Sequence, residues 1–332
     1  MLKRLSLVFS AVFAVASLTA VSGSSFAAPA PIVLKLAHDQ KPDQGYGPGV
    51  AKFVEILKQK VGDKVEIQVF DNGVLGNERD VTEGITLGSQ EMCITTLGVL
   101  TNYEPQLGVM NLPFIFNDWN QVNAVLTKGI MDEPFAKLEK NKKMKALGVF
   151  ALGFRNVGSN KTPISSLDSF KGLKIRVPQA PIFIDTFKAL GANPTPVPWG
   201  ELYTAMQTKV VDAFENSSPV IEQFKMNEVT KFLSKTNHIW EGGILLISSS
   251  KFNSFPPDVQ DAFIFAAQES AKYQRGLIEQ QSNQVESKLA AAGMKVNSLE
   301  VKPLRDKVEP MYKQFSDKNN AMALVEKVKN AK

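Results

Sequence analysis

Cysteine occurs once in the 332 residues, as Cys93, and histidine twice, as His38 and His238. One thiol excludes a disulfide framework within the chain, and two histidines do not make a structural zinc site, so no metal and no cofactor are expected. Cys93 stands in the apolar run 91–96, where burial as a packing side chain is expected rather than reactivity. The familiar catalytic signatures are also missing. There is no G-x-S-x-G, no H-E-x-x-H and no cysteine near a partner histidine, which argues against an enzyme. The two histidines are isolated in sequence, and their separation in the fold is left open. No cluster of lysine and arginine with interleaved aromatics appears, so a nucleic-acid partner is not expected. Gly45, Gly47 and Gly49 follow a strand pattern as a phosphate-cradling loop would. Their spacing is G-x-G-x-G, however, and Pro48 removes a backbone donor, so a flexible loop at a cleft edge fits better.

What the chain does have begins with an export signal over residues 1–27. Lys3 and Arg4 precede a mostly apolar stretch over 5–21, and Ser25-Phe26-Ala27 is a small-x-small cleavage site. Ser6, Ser10, Ser17 and Thr19 interrupt the apolar run, so it reads as a cleaved leader and not as an anchor. No cysteine near the cleavage point is available to receive a lipid. A soluble periplasmic protein of about 305 residues is expected, enough for two domains with real cores. Loss of Lys3 and Arg4 leaves 36 basic against 33 acidic side chains, a mild net charge of +3 carried mostly on amphipathic helices.

Strand and helix patterns alternate through the first half. Residues 32–38 and 64–70 read as strands, 50–61 and 78–87 as helices, and 91–96 as a third strand ending at Thr96. Residues 119–143 read as two helices and 144–153 as a strand leaving the first domain. This alternation predicts an α/β fold with a mostly parallel sheet covered on both faces. Asp39 at the exit of the first strand is a candidate ligand contact. Glu78, at the start of a helix, fits either a ligand contact or an acid favoured by the helix dipole. Later, 232–240 and 243–250 look like two strands with Gly242-Gly243 between them as a candidate hinge, and Trp240 reads as buried there. Residues 257–292 read as one long helix: Pro257 and Asp258 suit its start and Gly293 its stop. About 35 residues at about 1.5 Å each give roughly 50 Å, longer than one small domain is wide. Its polar waist over 279–284 suits a helix that bridges two domains. Helices from about Leu304 and Ala323 are expected to complete the second domain.

The most informative stretch is 152–219. It contains L-G-F-R-N-V-G-S-N with Arg155, K-G-L-K-I-R-V-P with Arg176, and N-P-T-P-V-P-W-G-E-L-Y-T-A-M-Q-T-K-V-V-D-A-F-E-N-S-S-P with Trp199 and Asn216. Lys171-Gly172 is a turn, the alternation after it a short strand, and Pro178 ends that strand. Arg176 therefore stands at a strand's exit, where a guanidinium fork can meet a carboxylate bidentately. Spacing alone favours the ordinary reading of an arginine on a solvated strand face.

These motifs resemble the signature region of the DctP-type solute-binding proteins of tripartite ATP-independent periplasmic (TRAP) transporters, and the resemblance extends over essentially the whole mature chain. It implies a two-lobed periplasmic-binding-protein fold with a hinge and a long domain-crossing helix. The lobes are expected at 28–150 plus 244–281 and at 151–243 plus 282–332, with the helix over 257–292 spanning both. It further implies that Arg176 pairs with the carboxylate of a small ligand, with Arg155 as a second donor, Asn216 as an amide donor and Trp199 on the carbon skeleton. Thr96 faces the cleft by the same correspondence, and Glu78 approaches the ligand. The implied function is capture of a small organic acid and delivery to a membrane permease driven by an ion gradient, by a chain acting as a monomer. A sensory binding protein or a periplasmic enzyme on a small acid are the alternatives. Three departures bear on the ligand. Pro219 follows Ser217-Ser218 where many members read E-N-P, Trp199 replaces the commoner Phe, and Thr96 stands where sialic-acid binders carry an acid. Sialic acid is therefore disfavoured, while a dicarboxylate, a hydroxy or keto acid, a sugar acid or an aromatic acid all remain open.

Overall fold

Alternating strands and helices build the first part of the computed structural model, which describes residues 31–332; the expected export signal lies outside the described residues. β1 (Ile32–Ala37) leads to α1 (Gly47–Val61), β2 (Val65–Phe70), α2 (Glu78–Leu87), β3 (Met92–Thr96), α3 (Leu97–Leu100), α4 (Trp119–Thr127) and α5 (Asp132–Lys142). α1 buries Val50, Phe53, Ile56, Leu57 and Val61, one apolar stripe at helical spacing. α2 starts with a capping box between Asn77 and Asp80 and stops at left-handed Gly88. The second part comprises β4 (Met144–Ser159), β5 (Lys174–Val177), α6 (Pro181–Ala189), β6 (Asn193–Pro196), α7 (Leu202–Gln207), β7 (Ala213–Ser217), α8 (Ser218–Gln223), β8 (Phe232–Lys235) and β9 (Trp240–Ser248). The chain ends with α9 (Ser249–Asn253), α10 (Pro257–Ser282), α11 (Val285–Ala291), β10 (Lys295–Ser298), α12 (Lys302–Val308), α13 (Pro310–Asn319) and α14 (Met322–Lys329). Among the described residues, no helix is long and apolar enough to cross a membrane.

The strands run in the order β2-β1-β3-β9-β4-β7-β5-β6, with β8 on β4 and β10 on β8. Pairing is parallel within each half (β1 with β2 and β3; β5 with β6 and β7; β8 with β10) and antiparallel where β4 and β9 cross between them. β4 is the element that makes two lobes one molecule. Met144–Phe154 pairs with β9, and from Arg155 onward the same strand pairs with β7 and β8. Sixteen residues at about 3.3 Å each give it roughly 50 Å of reach. The strand expected over 144–153 thus runs on into the second lobe.

Three other expectations need correction. Gly242-Gly243 is not a turn between two strands; both glycines lie inside β9, opposite Ala151 and Phe150 of β4. They are bare because aromatic rings press on the backbone: a Cβ on Gly243 would lie 2.3 Å from Tyr46 Cζ, and one on Gly242 would lie 2.6 Å from the Trp240 ring. Trp240 is buried, edge-on to Phe116 and Trp119. The single helix over 257–292 is two helices, broken at Asn283-Gln284 inside the polar waist, where no apolar side chain ties the turn to a neighbour. α10 packs Val259, Phe263, Ala266 and Ala267 into the core of the first lobe, while Val285 and Leu289 of α11 join Leu202, Met206 and Phe214 in the second. Finally, the C-terminal helices do not simply complete the second lobe. Tyr312 Oη donates to the Pro113 carbonyl at 2.7 Å, Gln121 Nε2 to that of Val328 at 2.9 Å and Gln106 Nε2 to that of Asn319 at 2.9 Å. Val308, Met311, Val325 and Val328 share a core with Leu107 and Val109, so the chain returns to the first half to bury those faces.

The close approach at Gly243 sets a test. Gly243→Ala is expected to lower stability by about 2 kcal/mol or more, because neither Tyr46 nor the ladder has room to shift. Gly276→Ala on α10 meets nothing within 4 Å and is expected to raise stability by about 0.5–1 kcal/mol through helix propensity. Urea midpoints at unchanged m-value measure both.

Candidate functional site

Strand ends and helix starts from both halves converge on one cavity of about 470 Å³, within the range typical of small-molecule sites. Asp39, Glu78 and Thr96 reach it from the first half. Arg176, Trp199 and Asn216 reach it from the second, and Arg155 from β4 just past the change of partner. All seven residues singled out in the sequence line this one space. Their bonding differs from residue to residue.

Arg176 is only 3% exposed, yet its one hydrogen bond among the described residues runs from Nε to the Val197 carbonyl at 2.8 Å. Its two terminal nitrogens have no protein acceptor there. The guanidinium carbon lies 5.7 Å from the Trp199 ring centre, and Phe224 holds that ring edge-on at 5.0 Å. Burial pulls the Arg176 pKa down to about 10, against the opposing field of Glu215, so the side chain stays cationic at neutral pH.

Arg155 lines the cavity and is also bonded extensively within the protein. Its Nε and Nη2 grip the two carboxylate oxygens of Glu215, Nη2 also donates to the Glu215 carbonyl at 2.8 Å, and Nη1 donates to Asn216 Oδ1 at 3.1 Å. Four of its five N–H groups are thereby used inside the protein, and one remains for a ligand. Burial alone would lower the Arg155 pKa and raise that of Glu215; the pairing outweighs burial in both and keeps both ionised. His238 Nε2 sits 3.3 Å from the same carboxylate and Nδ1 2.8 Å from Thr236 Oγ1, with burial holding its pKa below the ordinary value. Asn216 Oδ1 accepts from Arg155 and from the Ser217 amide at 2.8 Å, which turns its NH2 group toward the cavity as a donor.

Across from these donors lie acceptors. Glu78 stands in the first turn of α2, which Asn77 and Asp80 cap, and accepts from the Thr96 amide at 3.0 Å and the Thr96 hydroxyl at 2.8 Å. Thr96 therefore borders the cavity, but its hydroxyl is committed to Glu78. Asp39 accepts from Gln40 Nε2 at 2.9 Å. Burial, and for Glu78 also the nearby Asp39 charge, pushes both carboxyls above the usual range. Beneath the cavity Glu241 is fully buried, with Oε1 accepting from Asn111 and Gly242 and Oε2 without a partner; burial raises its pKa to about 7. Cys93 is fully buried, and burial lifts its thiol pKa far above the ordinary value. Among the described residues, no group of three or more His, Cys, Asp or Glu side chains is placed to hold a metal ion.

Sequence reasoning missed Glu215, His238 and Glu241. Glu215 had a visible signal, since it stands beside Asn216 in the same motif. His238 and Glu241 had none, because Glu215, which His238 meets, and Asn111, which Glu241 meets, are distant from them in the chain.

Glu241 generates a pH test. A carboxyl with folded pKa near 7 holds a proton that the unfolded chain releases near 4.5, so its contribution to stability falls as pH rises from about 4.5 through 7. The loss approaches about 3 kcal/mol. His38, whose pKa burial lowers to about 4, acts oppositely, its contribution falling as pH drops from about 6.5. Chemical denaturation of Glu241→Gln beside the parent isolates the Glu241 share: the stability difference is expected to shift by about 3 kcal/mol in favour of the variant between pH 4.5 and 7.5. A pH-independent difference would contradict the assignment.

A family model described as bacterial extracellular solute-binding protein, family 7 (DctP) matches residues 36–319. The 2,3-diketo-L-gulonate-binding periplasmic protein YiaO of Escherichia coli K12 is 30% identical over 282 residues, 85% of each chain. Among solved structures, a TRAP periplasmic solute-binding protein of Xanthobacter autotrophicus Py2 with bound β-D-galacturonate superposes with a TM-score of 0.86 at 32% identity, covering 90% of this chain and 100% of that one. One from Sulfurospirillum deleyianum with bound succinate gives 0.85 at 28% identity, over 91% and 100%. With a family model over most of its length and a relative this similar over 85% of it, the chain belongs to the bacterial extracellular solute-binding proteins of family 7, the DctP family.

Proposed function

We propose that this protein captures a small organic acid in the cavity between its lobes, holds the carboxylate on Arg176, and delivers the acid to a TRAP-type membrane permease driven by an ion gradient. The observation that carries the reading is a buried cation facing a cavity with both terminal nitrogens unpaired among the described residues. A fork of that shape matches a carboxylate bidentately. Asn216 Nδ2 and the remaining N–H of Arg155 supply further donors, and Trp199 covers the ligand's carbon skeleton. Each hydrogen bond to a charged group contributes about 1.5–3 kcal/mol. These bonds with the Trp199 contact offset the ordering cost of binding, and a micromolar complex requires a net of roughly 8 kcal/mol.

The first lobe is assigned to β1–β3, β9 and β4 up to Phe154, and the second to β4 from Arg155 with β5–β8 and β10. A ligand held by Arg176 of the second lobe and by Asp39 or Glu78 of the first favours a closed arrangement about the shared strands. Export by a cleaved leader puts this cycle in the periplasm, where the family's YiaO member also resides. The relatives divide between a sugar acid and succinate, so similarity alone does not choose the ligand.

Titration calorimetry with β-D-galacturonate, L-gulonate and succinate tests the assignment. The parent protein is expected to bind at least one with micromolar affinity. Arg176→Ala is expected to abolish binding, and Arg176→Lys to weaken it by about 10- to 100-fold, because an ammonium cannot make the planar fork. Near-native affinity in Arg176→Ala would refute the role given to that residue.

A further inference from the structure

We propose that Lys41 is a positioning residue of the site: from the first lobe it fastens the wall that covers Arg176, and so slows the escape of a bound acid without touching it. The inference rests on capture of a carboxylate by Arg176 and adds a residue on which the lifetime of the complex depends.

Lys41 lies in the loop between β1 and α1, just beyond Asp39, and is not among the residues that line the cavity. Its backbone is fixed to the first lobe. The Lys41 carbonyl accepts from the Gln44 amide at 3.3 Å, and the Gln40 carbonyl accepts from the Asn72 amide at 3.0 Å. Pro42 restricts the chain at the next position. Farther along the loop, Gln274 Nε2 of α10 donates to the Gly45 carbonyl at 2.9 Å. The Lys41 side chain goes the other way. Its Nζ donates to the Gln223 carbonyl at 2.8 Å, across 182 residues of chain, and stands 5.1 Å from the centre of the Phe224 ring. Both contacts fall at the end of α8, on the second-lobe side.

What those contacts hold is the wall of the site. Phe224 lines the cavity and packs edge-on against Trp199, and Trp199 lies beside the Arg176 guanidinium. A row of neighbours thus runs from Lys41 through Phe224 and Trp199 to Arg176, from one lobe to the cation that meets the ligand on the other. The Gln223 carbonyl is one of the terminal acceptors that a helix cannot satisfy itself, and an ammonium suits it as a donor. A hydrogen bond from a charged group is stronger than a neutral one, and a cation over an aromatic face adds to it. A second bond between the lobes is of the weaker kind: Asn102 Nδ2 donates to the Gln179 carbonyl at 3.2 Å, exposed to solvent, while also serving the Val99 carbonyl at 2.9 Å.

A lysine beside an anion site has a second, ordinary role, which is attraction of the anion through its charge. The two roles act on different rates. Attraction speeds association and weakens with salt, whereas a tie that holds the wall in place slows dissociation.

Stopped-flow tryptophan fluorescence and titration calorimetry on the purified protein test the assignment. The probe is β-D-galacturonate, L-gulonate or succinate, whichever the parent binds most tightly. Lys41→Met keeps the unbranched stem and removes the ammonium. It is expected to weaken affinity about tenfold, with dissociation faster by about the same factor, association within about twofold of the parent and an unchanged circular dichroism spectrum. Lys41→Arg, which restores a cation and its donors, is expected to stay within about threefold of the parent. Dissociation at the parent rate in Lys41→Met, with Arg176→Ala still abolishing binding, overturns this inference and leaves capture by Arg176 standing. A loss confined to association that fades in about 0.5 M NaCl also overturns it, since it marks Lys41 as an attractor of anions. Absence of binding by every acid in the parent overturns both readings.

Discussion

The ion pair between Arg155 and Glu215 governs the charge of everything around it. Two guanidiniums and one fully buried carboxylate lie on the second-lobe side of the cavity, and Arg155 takes that carboxylate by geometry. β4 and β7 run antiparallel with Asn156 opposite Asn216, which brings the ends of the Arg155 and Glu215 side chains together. A buried pair of this kind adds little net stability by itself, but removal of either partner strands a charge in a low-dielectric interior. Its consequence lies at Arg176. Glu215 is occupied, so Arg176 feels its field without gaining its hydrogen bonds, and no other acceptor among the described residues reaches the terminal nitrogens. A cation is thereby left with its terminal nitrogens without a protein acceptor, beside the cavity.

Such a cation needs a rigid frame, and the crossing elements supply it. β4 changes partner between Phe154 and Arg155, at the residue that begins the charge network. β9 crosses beside it with glycines where Tyr46 and Trp240 press on its backbone. α10 lies over the same junction: Gln274 donates to the carbonyls of Gly45 and Ala151 and accepts from the Ala151 amide. The break at Asn283-Gln284 comes after this anchoring, between the apolar faces owned by the two lobes.

Much of the site was legible because strand exits are. Asp39, Thr96 and Arg176 each stand at the end of an apolar run closed by a turn or a proline, and in an α/β sheet such ends border the crevice. Pairing across the sheet was not legible. Nothing in residues 152–160 names Glu215 as the partner of Arg155, and nothing near Thr96 reserves its hydroxyl for Glu78, 18 residues away. The misread features share one cause. A glycine pair looks the same in a turn as in a strand pressed by aromatic rings, and an amphipathic helix shows that it has a buried face without naming its partner. Gly243 and α13 each needed tertiary contacts to settle them.

The proposed role of Arg176 turns on where the cost of burying its charge falls. Burial has already lowered the Arg176 pKa toward 10, so most of the desolvation of that cation occurs when the protein folds. A carboxylate held there, as proposed, would shed its own water without dehydrating its partner again, and the fork is already braced by Trp199 and Val197. More of each hydrogen bond therefore shows as affinity than at a solvated arginine.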